Sequence, residues 1–78
     1  MNFDTVINRS INHPKEIIKH VYNSLKEKGY KPIKQIIGYI MSGDPSYITA
    51  HNDARNIIQK LERDEILEEI MDFYIKNN

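Results

Sequence analysis

Three histidines are the side chains of this chain best suited to hold a metal ion or to carry a proton near neutral pH. They are His13, His20 and His51. His13 and His20 are seven residues apart and can share one face of a helix, but no carboxylate or third histidine completes a tetrahedral ligand set at a familiar spacing. The chain also lacks cysteine. The sequence therefore predicts no metal site and no cofactor.

Acidic residues near the C-terminus form the second group that could do chemistry, as a general acid and base. They are Glu62, Asp64, Glu65, Glu68, Glu69 and Asp72. On a helix most of them point outward, and Lys60 and Arg63 can pair with some of them. No nucleophile with an orienting partner lies nearby. Residues 42–45 read Ser-Gly-Asp-Pro, which lacks the spacing of a phosphate-binding loop. We therefore expect a protein that is not an enzyme.

The length of the chain limits how it can be stabilised. Its 78 residues form one domain, and a domain of this size buries only about 60–65% of its unfolded surface. Without cysteine, disulfides cannot add stability. Self-association is the remaining route, and an apolar content of 40% is enough to allow it. We therefore expect a homodimer.

Net charge and hydropathy narrow the choice of partners. The formal net charge is zero, which disfavours a general nucleic-acid binder. Residues 1–43 contain seven Lys/Arg and three Asp/Glu (net +4), whereas residues 44–78 contain four and eight (net −4). This split fits either solvated helix faces or complementary steering between two protomers. No apolar run reaches the roughly 18 residues that would indicate a membrane helix, and the N-terminus lacks signal-peptide character. We expect a cytoplasmic protein without membrane insertion.

Helix signals divide the chain into a mobile N-terminal tail (residues 1–12) and a single helical domain (residues 13–78). Asn12 and Pro14 can open a first helix, which Gly29 ends. Pro32 opens a second helix whose apolar residues recur with helical rather than strand spacing, and residues 42–43 end it. Gly38, in the middle of that helix, predicts close approach of another backbone.

The second half of the chain carries weaker signals. Residues 44–47 predict a single turn, and a third helix is expected to follow from a cap at Thr49 or Asn52 and to carry Ala54 through Leu61. Near Asp64 the pattern continues or restarts in a last helix. The fold class is all-α: a compact bundle of four to five short helices that forms a homodimer.

The last helix is more apolar than a short surface helix requires, which indicates an interface. Tyrosines beside the turns can line the same kind of surface, although tyrosine is also common in small cores. The predicted partner or dimer surface comprises Tyr39, Tyr47, Arg55, Ile70, Phe73 and Tyr74.

Helix, glycine-containing turn and helix also suggest an alternative, a nucleic-acid-associated helix-turn-helix module. Its recognition helix would span residues 52–62, where Arg55, Asn56, Gln59 and Lys60 are suitable base-reading side chains. The neighbouring acidic residues would repel a phosphate backbone, so nucleic acid is not the partner that we expect.

We expect a threonine in the predicted mobile tail to be accessible to a Ser/Thr kinase. Thr5 follows Asp4 and precedes Val6. Phosphorylation there would add about −1.5 to −2 charge, which could attract the basic half of the same chain.

Residues 16–75 resemble the IreB family, whose pattern they match in order and without gaps. The matching segments include Leu25-Lys26-Glu27-Lys28-Gly29-Tyr30, Ser42-Gly43-Asp44-Pro45, Asp53-Ala54-Arg55-Asn56 and Leu61-Glu62-Arg63-Asp64-Glu65-Ile66. The resemblance implies a small cytoplasmic protein of Gram-positive Firmicutes, an all-helical homodimer without enzymatic activity. It implies a substrate of the PASTA-domain transmembrane Ser/Thr kinase and its cognate phosphatase. It further implies negative regulation of cell-envelope stress responses, including cephalosporin resistance, through an unidentified downstream protein.

The resemblance also implies a phosphorylation site, because the family carries its acceptor threonine in a segment that Asp4-Thr5-Val6 matches. The chain departs from the family there: a second threonine a few residues upstream is missing, and the tail is short and less acidic. Phosphate on Thr5 is expected either to fold the tail onto Lys19, Lys26, Lys31 or Lys34, or to block the partner surface.

Overall fold

The computed structural model of this protein describes residues 11–77, and this part of the chain is all-helical. It contains four α-helices: α1 (Pro14–Glu27), α2 (Pro32–Ser42), α3 (Ala54–Ile58) and α4 (Arg63–Lys76). Two 3₁₀ turns, Pro45–Tyr47 and His51–Asp53, connect α2 to α3. Since residues 11–77 contain no strand, the predicted all-α class with four to five short helices is confirmed. The homodimer stays a prediction.

Residues 1–10 of the predicted tail, Thr5 among them, lie outside the described residues, whereas Ile11 and Asn12 are held by the helical body. Ile11 is partly buried against the core. The Nζ of Lys60 donates hydrogen bonds to the Ile11 carbonyl oxygen at 2.6 Å and to Asn12 Oδ1 at 3.1 Å. Among the described residues, Ile11 and Asn12 therefore belong to the helical body, although the predicted boundary lies after them.

The N-cap of the first helix lies one residue later than predicted. Pro14 occupies the first turn as expected, but the N-cap is His13, and α1 has no side-chain cap. The Asn12 side chain accepts from Lys60 instead, so the predicted Asn12 cap is wrong. Proline still suits the start because its missing N–H would have no partner inside the helix.

Glycine ends both α1 and α2, as the sequence predicts. Gly29 and Gly43 have φ angles of 79° and 74°, which side chains disfavour. After α1, the Tyr30 N–H donates to the Leu25 carbonyl at 3.0 Å, the long-range bond of a Schellman motif. After α2, the Gly43 N–H donates to the Tyr39 carbonyl at 2.7 Å. These bonds satisfy carbonyls that the helix ends would otherwise leave unpaired.

The connection after α2 begins with the predicted single turn. The Asp44 carboxylate accepts from the Ser46 N–H at 3.0 Å and caps the turn Pro45–Tyr47. Thr49 then accepts from the His51 N–H through Oγ1 at 3.2 Å. The N-cap of the turn His51–Asp53 is Ala50, and the N-cap of the third helix is Asp53, so the predicted cap at Thr49 or Asn52 is wrong.

The third helix is shorter than predicted. Asn52 and Asp53 both adopt left-handed backbone angles, with φ of 55° and 59°, so the regular helix starts only at Ala54. It ends at Ile58 after five residues. Asn and Asp tolerate this region best among residues with a side chain. A recognition helix across residues 52–62 therefore does not form, and the helix-turn-helix alternative loses its main element.

Gly38 packs against a side chain, not against a backbone as predicted. A Cβ added to Gly38 would lie 2.5 Å from both Cδ1 and Cε1 of Tyr47. The Tyr47 ring thus covers the α2 backbone where a methyl group would stand. The Gln35 side chain fixes the same segment by donating to the Tyr47 carbonyl at 3.0 Å.

One hydrophobic core lies between the four helices. Its buried apolar members are Ile17, Val21, Leu25, Ile36, Tyr39, Ile48, Ala54, Ile57, Ile58, Leu61 and Ile66. All but Ile48 and Leu61 lie within the helices, and α1 and α3 each contribute three. The last helix contributes Ile66 alone to the buried residues, which leaves most of its apolar side chains outside this core.

Candidate interaction surface

The fourth helix carries an exposed apolar surface. Its N-terminus is well anchored, because the Glu62 N–H donates to Glu65 Oε1 at 2.9 Å and Arg63 donates to the Ile40 carbonyl at 3.0 Å. Beyond Ile66, six large apolar side chains are 39–65% exposed: Leu67, Ile70, Met71, Phe73, Tyr74 and Ile75. A run this apolar is normally buried, so this surface is the first candidate for contact with a partner.

Helical geometry divides α4 into an apolar half and an acidic half. Successive residues of a helix are about 100° apart around its axis. Viewed along that axis, the apolar side chains of α4 therefore cover roughly half of the circumference, with Phe73 at one edge and Ile75 at the other. Leu67, Met71 and Ile75 are spaced four residues apart and form one exposed ridge along it. Glu68 lies next to Ile75 at the edge of this apolar half, and Asp72 lies just beyond Glu68. The apolar surface therefore has an acidic border.

A groove between α1 and α4 continues this surface. It has a volume of about 300 Å³, and its lining is Lys15, Ile18, Lys19, Tyr22, Glu69, Ile70 and Phe73. The Lys15 ammonium lies 6.0 Å from the centre of the Phe73 ring, at the outer limit of a cation–π contact. The groove is small and mostly apolar, which suits a side chain of a partner better than a whole substrate.

A second exposed apolar surface lies on α2. Ile33, Ile37 and Met41 are 53–79% exposed, and their spacing of four residues makes a second ridge. Residues 28–43 contain three lysines and no acidic residue, so Lys31 and Lys34 give this ridge a basic border. The sequence prediction of a partner surface omitted this ridge. The sequence pattern could have indicated it, because the apolar residues of α2 cover more of the helix surface than the two residues buried in the core, Ile36 and Tyr39.

The predicted surface residues divide into two groups. Ile70, Phe73 and Tyr74 lie together on the exposed part of α4. Tyr39, by contrast, is 5% exposed and belongs to the core. Its ring is therefore not available to a partner.

Tyr47 and Arg55 have roles within the chain. Tyr47 covers Gly38 and remains 40% exposed. The half-buried Arg55 donates from Nε to the Ile48 carbonyl at 2.8 Å and so holds the connection between α2 and α3. The structure does not bring these two residues together with Ile70, Phe73 and Tyr74 in one helix face.

A polar cluster at the turn His51–Asp53 was not predicted. The Glu27 carboxylate accepts from Asn52 Nδ2 at 3.0 Å and contacts His51 Nε2 at 2.8 Å. The His20 Nε2 lies 2.8 Å from the Asn52 carbonyl oxygen. No sequence pattern could have indicated this cluster, because its members lie 24–32 residues apart. It ties the left-handed turn to α1.

The histidines do not converge on a metal-ligand set in the part of the chain described. His20 and His51 make the contacts above, and residues 11–77 contain no group of three His, Cys, Asp or Glu side chains arranged to hold a metal ion. Within the same residues, no helix combines the length and the apolar character that are needed to cross a bilayer.

Within residues 11–77, the surroundings of two ionisable groups shift their pKa values. Burial raises the pKa of Tyr39; the nearby Arg63 opposes this shift and Glu62 adds to it. Hydrogen bonds from Ser46, the backbone N–H first, lower the pKa of Asp44. Both groups stabilise the fold in their ordinary charge state, Tyr39 neutral and Asp44 ionised. Neither shift creates an acid or a base active near neutral pH.

These features define a small helical protein whose most prominent surfaces are open apolar ridges with charged borders. Comparison with known proteins gives its family. The family described as IreB regulatory phosphoprotein matches residues 1–76, and the chain belongs to the IreB family. It is 55% identical over 73 residues to a UPF0297 protein of Ruminiclostridium cellulolyticum, covering 94% of this chain and 83% of the relative. It is 62% identical over 64 residues to a UPF0297 protein of Lachnoclostridium phytofermentans, covering 82% and 73%.

Proposed function

We propose that this protein is a non-enzymatic, cytoplasmic phosphoprotein that a PASTA-domain transmembrane Ser/Thr kinase phosphorylates at Thr5 and a cognate phosphatase dephosphorylates. Its output is negative regulation of the cell-envelope stress response, including cephalosporin resistance. The observation that carries this proposal is the match to the regulatory phosphoprotein family across residues 1–76, a range that includes Thr5.

The described body suits a protein that acts by binding. The exposed apolar ridges on α2 and α4 can contact another protein. The acidic side chains Glu68 and Asp72 are exposed as well. The α1–α4 groove is lined mainly by apolar atoms of Ile18, Tyr22 and Phe73. A surface of this kind supports recognition of a folded partner rather than conversion of a small substrate.

The proposed active form is a homodimer. Ten side chains on α2, α4 and the turn before α2 are 39–79% exposed. If each offers roughly 150–200 Å² when fully exposed, they present on the order of 1,000 Å² of apolar surface. Stable interfaces bury about 800 Å² per partner. Summed over both surfaces, the exposed apolar area is therefore sufficient for a dimer interface.

The proposed switch is the charge that phosphorylation adds to the tail. Thr5 lies six positions before Ile11, where the described chain begins, and an extended segment of six residues spans about 20 Å. A phosphate on Thr5 can thus approach Lys19, Lys26, Lys31 or Lys34, or cover the partner surface. In both cases the phosphorylated and unphosphorylated forms present different surfaces to a downstream protein.

Mass spectrometry after incubation with the PASTA-domain kinase tests the phosphorylation site. Thr5→Ala is the test variant and Thr49→Ala is the matched control, since Thr5 and Thr49 are the two threonines of the chain. We expect one phosphate on the wild type and on Thr49→Ala, and none on Thr5→Ala. Phosphate that persists in Thr5→Ala, or wild-type protein that remains unmodified, would contradict the proposed switch.

A further inference from the structure

We infer that the phosphorylated tail docks into the α1–α4 groove of its own chain, with the phosphate of Thr5 beside Lys15 and Lys19. The side chain of Ile7 then lies among the apolar residues of the groove. This inference rests on the proposed function, which puts the phosphate on Thr5, and it names the surface of the body that recognises the modified tail. The apolar residues that line the groove are Ile18, Tyr22, Ile70 and Phe73.

Two lysines on α1 give the groove a site for an anion. Lys15 and Lys19 are four residues apart, so their side chains lie on the same face of the helix. Both are exposed, and within residues 11–77 no acidic side chain forms an ion pair with either of them. Glu69, on the α4 side, is the one acidic residue of the lining. A phosphate adds about −1.5 to −2 charge and three acceptor oxygens, so it can contact both ammonium groups at once.

The apolar part of the groove fits the residues beside Thr5. Its volume of about 300 Å³ has room for a few side chains, and Ile70 and Phe73 are 39% and 57% exposed. Val6 and Ile7 follow Thr5 directly. In an extended segment, residues two positions apart point to the same side. Ile7 can therefore enter the groove while the phosphate of Thr5 faces the lysines, and burial of Ile7 adds apolar contact to the charge attraction.

The length of the chain before α1 allows the tail to reach this site. The three positions from Ile11 to Pro14 span at most about 10 Å, and the six from Thr5 to Ile11 span about 20 Å when extended. A tail that folds back along α1 therefore reaches at least about 10 Å beyond the start of the helix. Lys19 lies five residues past Pro14, about 7.5 Å along the axis. Because tail and groove belong to one chain, the effective concentration of the tail is in the millimolar range, which favours it over a separate partner.

Paramagnetic relaxation measured by NMR on the full-length protein tests the docked position. Phosphothreonine is incorporated at position 5 during translation, so the sample does not depend on the kinase. Asn2→Cys carries a nitroxide spin label, which is unique because the sequence has no cysteine. The isotope-labelled, spin-labelled chain is diluted into an excess of protein that carries neither label, so that only broadening within one chain is observed.

The test variant replaces both lysines of the groove, Lys15→Gln with Lys19→Gln. The matched control is Lys26→Gln, which removes another exposed lysine of α1 that does not line the groove. All three positions are exposed, so the variants should fold, which circular dichroism verifies. A second mixture, with the spin label on one chain and the isotope label on the other, detects a tail that reaches a second copy.

In the phosphorylated protein, the amide signals of residues 15–22 and 70–73 should broaden about fivefold more than in the unphosphorylated protein or in the double lysine variant. Lys26→Gln should behave like the wild type. Equal broadening in the double variant, no broadening of these signals, or broadening only from a second copy would overturn the inferred docking. The mass spectrometry with the kinase decides separately whether Thr5 is the phosphorylation site, so a tail that carries phosphate without docking would leave the proposed function intact.

Discussion

Substitution of Gly38 by alanine should destabilise this protein, although the same substitution in most helices is stabilising. Gly38 lies within α2, where alanine is favoured over glycine by about 1 kcal/mol. The new methyl group, however, would lie 2.5 Å from two ring carbons of Tyr47. Carbon atoms do not approach so closely, so the Tyr47 ring must move away from α2.

The cost of that movement follows from the burial of Tyr47. The residue is 40% exposed, so roughly three fifths of its surface is covered. At about 25 cal/mol per Å² and roughly 200 Å² for the side chain, this coverage is worth at most about 3 kcal/mol. The backbone of Tyr47 cannot follow its ring freely because Gln35 holds the carbonyl. A loss of about 2 kcal/mol is therefore expected from the displaced ring, within the usual range for overpacking.

The net effect of Gly38→Ala is thus a decrease of about 1 kcal/mol in the free energy of unfolding. Urea unfolding at one fixed protomer concentration measures it, since any dimer makes stability depend on concentration. Tyr47→Ala provides the decisive background. Without the ring, Gly38→Ala should raise the free energy of unfolding by about 1 kcal/mol, so the sign of the effect reverses. If Gly38→Ala had the same sign in both backgrounds, the contact between Gly38 and Tyr47 would not be the reason for the glycine.

Two further predictions concern the core and the connection between α2 and α3. Arg55→Met keeps the aliphatic stem but removes the Nε donor to the Ile48 carbonyl, so urea unfolding should show a loss of about 1–2 kcal/mol; unchanged stability would mean that water replaces this donor. Burial raises the pKa of Tyr39 in the folded protein. The buried neutral Tyr39 therefore contributes fully to stability below about pH 10, the pKa of tyrosine in the unfolded chain, and this contribution is lost as the pH rises through the folded-state pKa. Between about pH 8 and 11, the free energy of unfolding should therefore fall more steeply with pH for the wild type than for Tyr39→Phe. Parallel curves for the two proteins would contradict the assigned burial of Tyr39.

The regular helices could be predicted because their boundaries depend on single residues. Proline opens α1 and α2 at Pro14 and Pro32, and glycine ends both. Proline lacks the N–H that would have no partner in the first turn, and glycine can adopt the positive φ that closes the last turn. These are local effects, which require no knowledge of the rest of the chain. The wide apolar face of the last helix was likewise visible in its spacing.

The connection from Ile48 to Ala54 could not be predicted in the same way. Asn52 and Asp53 in this connection have positive φ, and Asn52 is held by a distant part of the chain, through Glu27 and His20 on α1. Local sequence suggested a longer α3, since Asn52 is a good helix cap. The tertiary contacts override that preference. The hydrogen bond from Arg55 to the Ile48 carbonyl could not be predicted either, because a backbone carbonyl has no signature in the sequence.

The last helix has more apolar side chains than the core of the protomer buries, and this excess is the best guide to how the protein works. A helix on the surface of a domain needs an apolar stripe of a little over 100° to pack. The stripe of α4 covers about half of the circumference, yet the core takes only Ile66 from it as a buried residue. An isolated helix of its 14 residues is marginal in water. We therefore expect the part of α4 beyond Ile66 to gain stability when a partner covers its exposed apolar side chains.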